Sequence, residues 1–161
     1  MKYCITKATG SDLRQIQRFF YEIATEFSAK NFLNQDIRRY LKLVADRKFW
    51  AVKFVDDHVF TAKLNSEILG VAILLKDGTI PLLLVHPHYR KRSIATQLYT
   101  VLESTAVHNH LLVIRVPIEM AMSAFFKKIG FEIVSTIKKV AGGDELTTLH
   151  AVKYLKNYSK N

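Results

Sequence analysis

The sequence predicts a single α/β domain, built on a mixed sheet of six to seven strands with helices on both faces. The 161-residue chain is 49% apolar, which is enough to form one hydrophobic core. Short apolar runs alternate with stretches of helical spacing in the order β-α-α-β-β-β-α-β-α-β-β. A helix separates the fourth strand from the fifth, so these two strands should run parallel. We therefore expect residues 1–161 to form one domain.

The first strand and helix are predicted from a capping signal and a helical stripe. Residues 2–7 can form a strand, on which we expect the single cysteine, Cys4, to be a free thiol facing the core. Thr9 and Asp12 have the spacing of a capping box, so a helix should follow as far as Ser28. Its apolar stripe consists of Leu13, Ile16, Phe20, Ile23 and Phe27.

Three antiparallel strands are predicted in the middle of the chain. Before them, a second helix is expected from Asp36, whereas residues 47–55 fit either a helix or a strand. The inward positions of that second helix are Ile37, Tyr40, Leu41 and Val44. The strands are predicted at 60–64, 68–75 and 80–85, joined by short turns. Pro81 can stand only near the start of its strand or at a bulge, because it has no N–H for the ladder.

A basic loop leads from the fourth strand into the next helix. That helix is predicted to begin at Ser93, as its N-cap, and to continue to about His108. Its apolar positions are Ile94, Leu98, Val101, Leu102 and Thr105. The loop brings Arg90, Lys91 and Arg92 to unpaired N–H groups at the positive end of the helix dipole, which suits a phosphate or pyrophosphate. The alternative is a solvated basic turn that caps an ordinary helix.

The last third of the chain is predicted as strand, helix and hairpin. Residues 111–116 form a strand that Pro117 ends. The next helix is marked by Ile118, Met122, Phe125 and Ile129. Gly130 takes the C′ position, where a left-handed backbone is tolerated. Residues 131–137 and 147–155 should then pair as a closing hairpin across 141–144.

Two motifs resemble those of the GCN5-related N-acetyltransferase (GNAT) superfamily. Val85-x-Pro87-x-x-Arg90-x-x-Ser93-x-Ala95 is similar to its acyl-CoA-binding signature, with Ser93 in place of the first glycine. Residues 125–131 are similar to its later Phe-Tyr-x-Lys-x-Gly-Phe element. The resemblance implies a GNAT-like fold in which the backbone of the fourth strand binds pantetheine and the basic loop binds pyrophosphate. The implied cofactor-binding residues are Leu83, Leu84, Val85, Arg90, Lys91, Arg92, Ser93, Ile94, Ala95 and Phe126.

Acylation of an amine also needs a base for the attacking nitrogen and often an acid for the departing thiolate. The tyrosine that commonly supplies the acid in the family aligns with Phe126, which has no proton to give. Glu119 aligns with a family asparagine and is a candidate base or a ligand for a cationic substrate, although a solvated residue in the first helical turn is the alternative. His86, acting through water, is a second candidate base, and His88 is its neighbour. Ser123 is a candidate acid, as is Tyr99, although packing is the commoner role for both positions.

The expected function is transfer of an acetyl group from acetyl-CoA to an amine by direct attack in a ternary complex. The alternative is a catalytically degenerate CoA-binding or regulatory module, which Ser93, Glu119 and Phe126 favour. The net charge of +10 favours anionic ligands, but the basic residues are spread along the chain without an aromatic ladder, so nucleic acid is an unlikely partner.

The remaining signals concern location, metals and assembly. We expect a cytoplasmic protein that does not bind membranes, because the chain has no signal-peptide pattern and no apolar run near the roughly 20 residues of a spanning helix. No metal is expected, because His108 and His110 lack further ligands at suitable spacing. A homodimer is left open.

Overall fold

The computed structural model describes residues 1–27, 42–141 and 143–156. In these ranges the chain forms seven strands and four helices. The strands are β1 (Cys4–Lys7), β2 (His58–Leu64), β3 (Glu67–Leu74), β4 (Leu82–Val85), β5 (Val113–Glu119), β6 (Glu132–Ala141) and β7 (Asp144–Tyr154). The helices are α1 (Leu13–Phe27), α2 (Arg47–Asp56), α3 (Ile94–His108) and α4 (Ser123–Lys128). Short 3-10 turns lie at Gly10–Asp12, Pro87–Tyr89 and Met120–Met122.

The strands form two sheets, and helices cover both faces of the larger one. Strands β1 to β4 are antiparallel neighbours in chain order, whereas the second sheet has the order β5-β7-β6. Phe20 of α1 and Trp50 of α2 pack against one face of the four-stranded sheet. On its other face, Leu98 and Leu102 of α3 share a core with Ile114 of β5. The predicted α/β class and the strand number are therefore confirmed.

The first helix begins where the capping box predicts. The Asp12 carboxylate accepts the Thr9 N–H at 2.9 Å, and it also pairs with Lys63 of β2. Burial disfavours the charged form of Asp12, but the bonds with Lys63 and Thr9 outweigh it and hold the pKa of this carboxyl below its ordinary value. The start of α1 is thus tied to the sheet as well as capped.

Residues 47–55, for which the sequence allowed a helix or a strand, belong to α2. Asp46 is the N-cap, and its side chain accepts the Phe49 N–H at 3.0 Å. Trp50 is buried against Phe20 of α1, with ring centroids 5.7 Å apart. The helix predicted from Asp36 lies mostly outside the described residues.

The position predicted for Cys4 is wrong. Because side chains alternate along β1, Tyr3 and Ile5 turn towards the core and Cys4 is exposed.

The end of β5 is also predicted wrongly, because Pro117 lies inside the strand. Leu112, just before β5, accepts the N–H of Leu155, just after β7, at 2.9 Å. On the opposite side of β5, the N–H of Arg115 donates to Gly78, in the segment between β3 and β4, at 3.0 Å. Backbone groups alternate along a strand, so the nitrogen of Pro117 faces away from β7 and breaks no bond of the β5–β7 ladder. The strand therefore continues to Glu119.

Because β5 is longer than predicted, the following helix is shorter. Ile118 belongs to the strand, and α4 begins only at Ser123. The prediction for Gly130 is confirmed: its φ is +96°, and the N–H groups of Gly130 and Phe131 donate to Lys127 and Phe126, as in a Schellman motif. The closing hairpin is confirmed and is longer than predicted, with a register shift between Ile133 and Ser135.

Candidate active site

The two sheets meet at one parallel bridge, which pairs Thr79 with Arg115. Ile80 donates its N–H to the Arg115 carbonyl at 2.8 Å, and Arg115 donates its own to the Gly78 carbonyl at 3.0 Å. Beyond this bridge the described residues form no further pair between β4 and β5. The fifth strand was predicted to run parallel to the fourth, and it does so only at this point. The strands then separate and leave a gap.

A bulge precedes β4 and sets the direction of its backbone groups. The Leu75 N–H of the neighbouring strand donates to the Thr79 carbonyl at 2.8 Å, whereas Ile73 pairs with Leu82. From Ile73 to Leu75 the first strand advances two residues, whereas from Leu82 back to Thr79 its partner advances three. One extra residue on one side of a ladder is a β-bulge. Pro81 lies in the extra segment, as its missing N–H predicts.

Alternation along β4 then turns two of its residues towards the gap. His86 donates its N–H to the Leu69 carbonyl at 2.8 Å, so the backbone groups of Leu84 face β3 as well. The N–H and C=O groups of Leu83 and Val85 therefore face away from β3 and into the gap. The sequence predicted that Leu83, Leu84 and Val85 all bind the cofactor, whereas in the structure the backbone of Leu84 faces β3 and only those of Leu83 and Val85 face the gap.

The gap holds a cavity of about 480 Å³. Its walls come from both strands and from the two helices that follow them. The strands contribute Ile80, Pro81, Leu83, Leu84 and Val85 on one side and Val116, Pro117, Ile118 and Glu119 on the other. The helical and loop side contributes Tyr89, Arg90, Lys91, Ser93, Ile94, Ala95, Thr96, Met122, Phe125 and Phe126. The cavity is thus mostly apolar in the gap and basic at the loop.

The basic loop has a left-handed backbone at two residues. Lys91 has φ +57° and Ser93 has φ +60°, and the Ser93 side chain makes no capping bond to α3. Ser93 therefore occupies the predicted N-cap position without the predicted cap, because its left-handed backbone is not the extended one that capping requires. Glycine, which the family prefers here, has no Cβ to strain this conformation.

The three cations of the loop point in different directions. Arg90 and Lys91 line the cavity. Burial lowers the pKa of the Arg90 guanidinium below its ordinary value, so a nearby anion would stabilise its charge. Arg92 does not line the cavity: its guanidinium lies over the Tyr89 ring, 5.6 Å from the centroid, and its carbonyl accepts the Tyr3 O–H at 3.4 Å. Arg92 joins the loop to the N-terminal segment.

Among the catalytic candidates, only Glu119 lines the cavity. It is half-buried at the end of β5, directly before the 3-10 turn Met120–Met122, so the alternative of a solvated residue in the first turn of a helix is wrong. Ser123 begins α4 but does not reach the cavity lining. Phe126 does reach it: this ring is 3% exposed and lies edge-on to Phe125 and Phe131, with centroids 5.1 and 5.3 Å away.

His86 lies on the other face of β4, towards α1. Its ring centroid is 6.3 Å from that of Phe19, and its Nδ1 accepts the His88 N–H at 3.3 Å. Burial, helped by the nearby His88, lowers the pKa of His86, which favours a neutral imidazole. His88 contacts the Glu26 carboxylate at 3.4 Å. Neither histidine lines the cavity.

Tyr99 is also remote from the cavity lining. It is 2% exposed, packs edge-on against Phe131 and has the Lys153 Nζ 5.3 Å from its ring centroid. Burial raises the pKa of its phenol, and the negative charge of Glu103 raises it further. Within the described ranges no three His, Cys, Asp or Glu side chains are placed to hold a metal ion. None of the helices in those ranges is long and apolar enough to cross a membrane.

Apart from Glu119, the sequence missed the β5 wall of the cavity. It also missed Ile80, Pro81, Tyr89, Thr96, Met122 and Phe125. The two prolines are the signal that could have found part of this wall. Pro81 stands just before β4 and Pro117 stands inside β5, on opposite sides of the gap, and a missing N–H is tolerated there only if no partner needs it.

Comparisons with known proteins agree with the fold. A sequence model of the acetyltransferase (GNAT) domain matches residues 28–146. The chain belongs to this family. No curated protein gives a significant match.

Many solved structures share the fold. One is the GCN5-related N-acetyltransferase "Aminotransferase, Class-II" from Rhodopseudomonas palustris, which is 21% identical, with 96% of this chain and 97% of that chain covered and a TM-score of 0.77. PaiA N-acetyltransferase from Thermoplasma acidophilum, solved in complex with coenzyme A, is 17% identical, with 96% and 100% covered and a TM-score of 0.74. YncA, a putative acetyltransferase from Salmonella typhimurium solved with acetyl-CoA, is 18% identical, with 100% and 98% covered and a TM-score of 0.68.

Proposed function

We propose that this protein transfers an acetyl group from acetyl-CoA to an amine by direct attack in a ternary complex. The observation that carries the proposal is the gap between β4 and β5, which has backbone groups of Leu83 and Val85 on one side and a basic helix N-terminus at one end. Family membership and two CoA-bound structures of the same fold support it.

The cofactor would lie along β4. Its pyrophosphate would bind the N–H groups at the start of α3, with Arg90 and Lys91 beside them. Its pantetheine would take the place of a strand and bond with the backbone of Leu83 and Val85. An N–H of this strand would then stabilise the oxyanion that forms on the thioester carbonyl.

The acceptor amine would attack the thioester carbon. The bond from this carbon to nitrogen forms, the bond to sulfur breaks, and the nitrogen loses a proton while CoA leaves as a thiolate or thiol. We assign the base, or the contact with a cationic amine, to Glu119, because it alone of the candidates lines the cavity. His86 and Ser123 would have to act through water.

A second candidate function is a CoA-binding module without transferase activity. Phe126 favours it, because a phenyl ring stands in the cavity wall where the family tyrosine would supply a proton. Assays with an amine library and acetyl-CoA distinguish the two candidates.

Acetyl-CoA should stabilise the protein against thermal unfolding. At about 100 times its Kd, the gain in free energy of unfolding is roughly 2.7 kcal/mol. Arg90→Glu should remove most of this gain, because it places a negative charge in the cavity wall. Lys139→Glu makes the same change of charge on exposed β6 and should leave the gain unchanged. Unaltered melting of the wild type in saturating acetyl-CoA and CoA would refute cofactor binding.

Phe126→Tyr tests whether protonation of the leaving thiolate limits the rate. A thiol with a pKa of about 8.5 leaves without full protonation, so the wild type should be slow but active. If proton donation limits the rate, the new hydroxyl should raise turnover by up to about 10²-fold, and if water or Ser123 already supplies the proton, turnover should not change. Ser123→Ala, assayed beside it, separates these cases. Tight binding of acetyl-CoA with no transfer by either the wild type or Phe126→Tyr would favour the module.

A further inference from the structure

The β4–β5 ladder stops at the first place where β5 has no donor to offer. Arg115 makes both bonds of the bridge, with Gly78 and Ile80. In a parallel ladder the next residue of the same strand to face the neighbour is two positions further on, which is Pro117. Its ring nitrogen carries no hydrogen, so it cannot donate to the Ile80 carbonyl.

The opposite strand cannot continue the ladder either. The next bond would run from the Leu82 N–H to the Pro117 carbonyl. The bulge at Pro81 turns the Leu82 backbone towards β3, where Leu82 pairs with Ile73. The divergence of the strands thus has a cause on each side: a bulge in β4 and a proline in β5.

Pro117 fulfils this role without weakening its own sheet. It pairs in register with His150 of β7, and its nitrogen faces the gap. Proline within a sheet is normally confined to edges. The gap makes β5 an edge of the three-stranded sheet, and Pro117 lines the cavity.

We propose that Pro117 is a positioning residue that prevents β5 from closing onto β4 and so keeps the gap open for pantetheine. The part that concerns pantetheine rests on the proposed function. The part that concerns the ladder does not, because it follows from the register of the strands alone.

The experiment uses Pro117→Ala and Pro117→Val, the second of which keeps nearly the bulk of the ring. Each variant gains an amide at position 117, whose exchange with solvent is measured by NMR without ligand. We expect this amide to be protected, because it bonds to Ile80, and the Kd for acetyl-CoA to rise about five- to tenfold, the worth of one hydrogen bond. Adenosine 3′,5′-bisphosphate, which lacks pantetheine, should bind the basic loop of variant and wild type equally.

The outcomes distinguish the role of Pro117 in the β4–β5 ladder from its effect on pantetheine binding. An amide 117 that exchanges as in an unfolded chain, with an unchanged Kd for acetyl-CoA, would refute the role of Pro117. Equal weakening of acetyl-CoA and of adenosine 3′,5′-bisphosphate would also refute it, because the substitution would then disturb the whole site. If the wild type binds neither ligand, the proposed function fails, while protection of amide 117 still decides whether Pro117 holds the strands apart.

Discussion

Gly78→Ala should lower the free energy of unfolding by about 3 kcal/mol, because it combines a left-handed backbone with a clash. Gly78 has φ +87°, and a Cβ built on it would lie 2.5 Å from the Val113 carbonyl oxygen. That oxygen belongs to the backbone of β5 and cannot rotate away. The Gly78 carbonyl also accepts the Arg115 N–H, so any shift of the turn disturbs the only bridge between the sheets in the described residues.

Gly143→Ala is the matched control for this measurement. Gly143 has the same φ of +87°, but nothing lies within 4 Å of its built Cβ. Gly143→Ala should therefore lower the free energy of unfolding only by the cost of a left-handed backbone at alanine, about 1 kcal/mol. Urea denaturation of the three proteins gives both values. Equal losses in the two variants would mean that β5 moves aside at no cost and that the junction is not tightly packed.

Lys153→Met should lower the free energy of unfolding by about 2 kcal/mol, because one ammonium group satisfies several partners. Its Nζ pairs with the Glu103 carboxylate of α3 at 2.7 Å and donates to the Ile129 carbonyl at 2.8 Å. It also lies 5.3 Å from the centroid of the Tyr99 ring. The two charged side chains are only 22% and 30% exposed, so water can replace these contacts only in part.

The comparison for Lys153 is the surface pair of Lys138 and Glu145, which are 68% and 56% exposed. Lys138→Met should cost less than about 1 kcal/mol, since exposed pairs are worth little. The double variant Lys153→Met with Glu103→Leu should recover part of the loss by removing the carboxylate left without its partner. A loss from Lys153→Met no greater than that from Lys138→Met would show that the buried contacts add nothing.

Signals that act within one turn of helix could be predicted from the sequence. The capping box of Thr9 and Asp12 and the Schellman motif at Gly130 depend on residues three to five positions apart, and both are present. The stretch 47–55 could not be decided, because its helix is held by Asp46 as N-cap and by burial of Trp50 against Phe20, and the second of these is a tertiary contact. Local patterns do not contain that information.

At the candidate site, too, the sequence predicted the local features but not those that depend on contacts distant in the chain. The basic loop, 90–95, was predicted because its residues are contiguous and resemble a known signature. The roles of His86 and Pro117 depended on which way each residue faces in its strand. Those directions are set by the bulge at Pro81 and by the bond from Arg115 to Gly78, 37 residues away in the chain. A shift of one residue in either register would reverse the direction of the residue on that strand.

The single bridge at Thr79 and Arg115 also fixes how the protein transmits mechanical load. Strand β1 belongs to one sheet and β7 to the other, so tension between the ends of the described chain must cross from sheet to sheet. At this junction it crosses through the two backbone bonds of the bridge, the bond from the Arg115 guanidinium to the Asp77 carbonyl and a shared apolar core. Apolar contacts are not directional, so they resist pulling less than the hydrogen bonds do. A cofactor seated between β4 and β5 would bond to the backbone of β4 and contact the β5 wall of the cavity, and would share this load. The molecule should then yield at a higher pulling force when it is occupied than when it is empty.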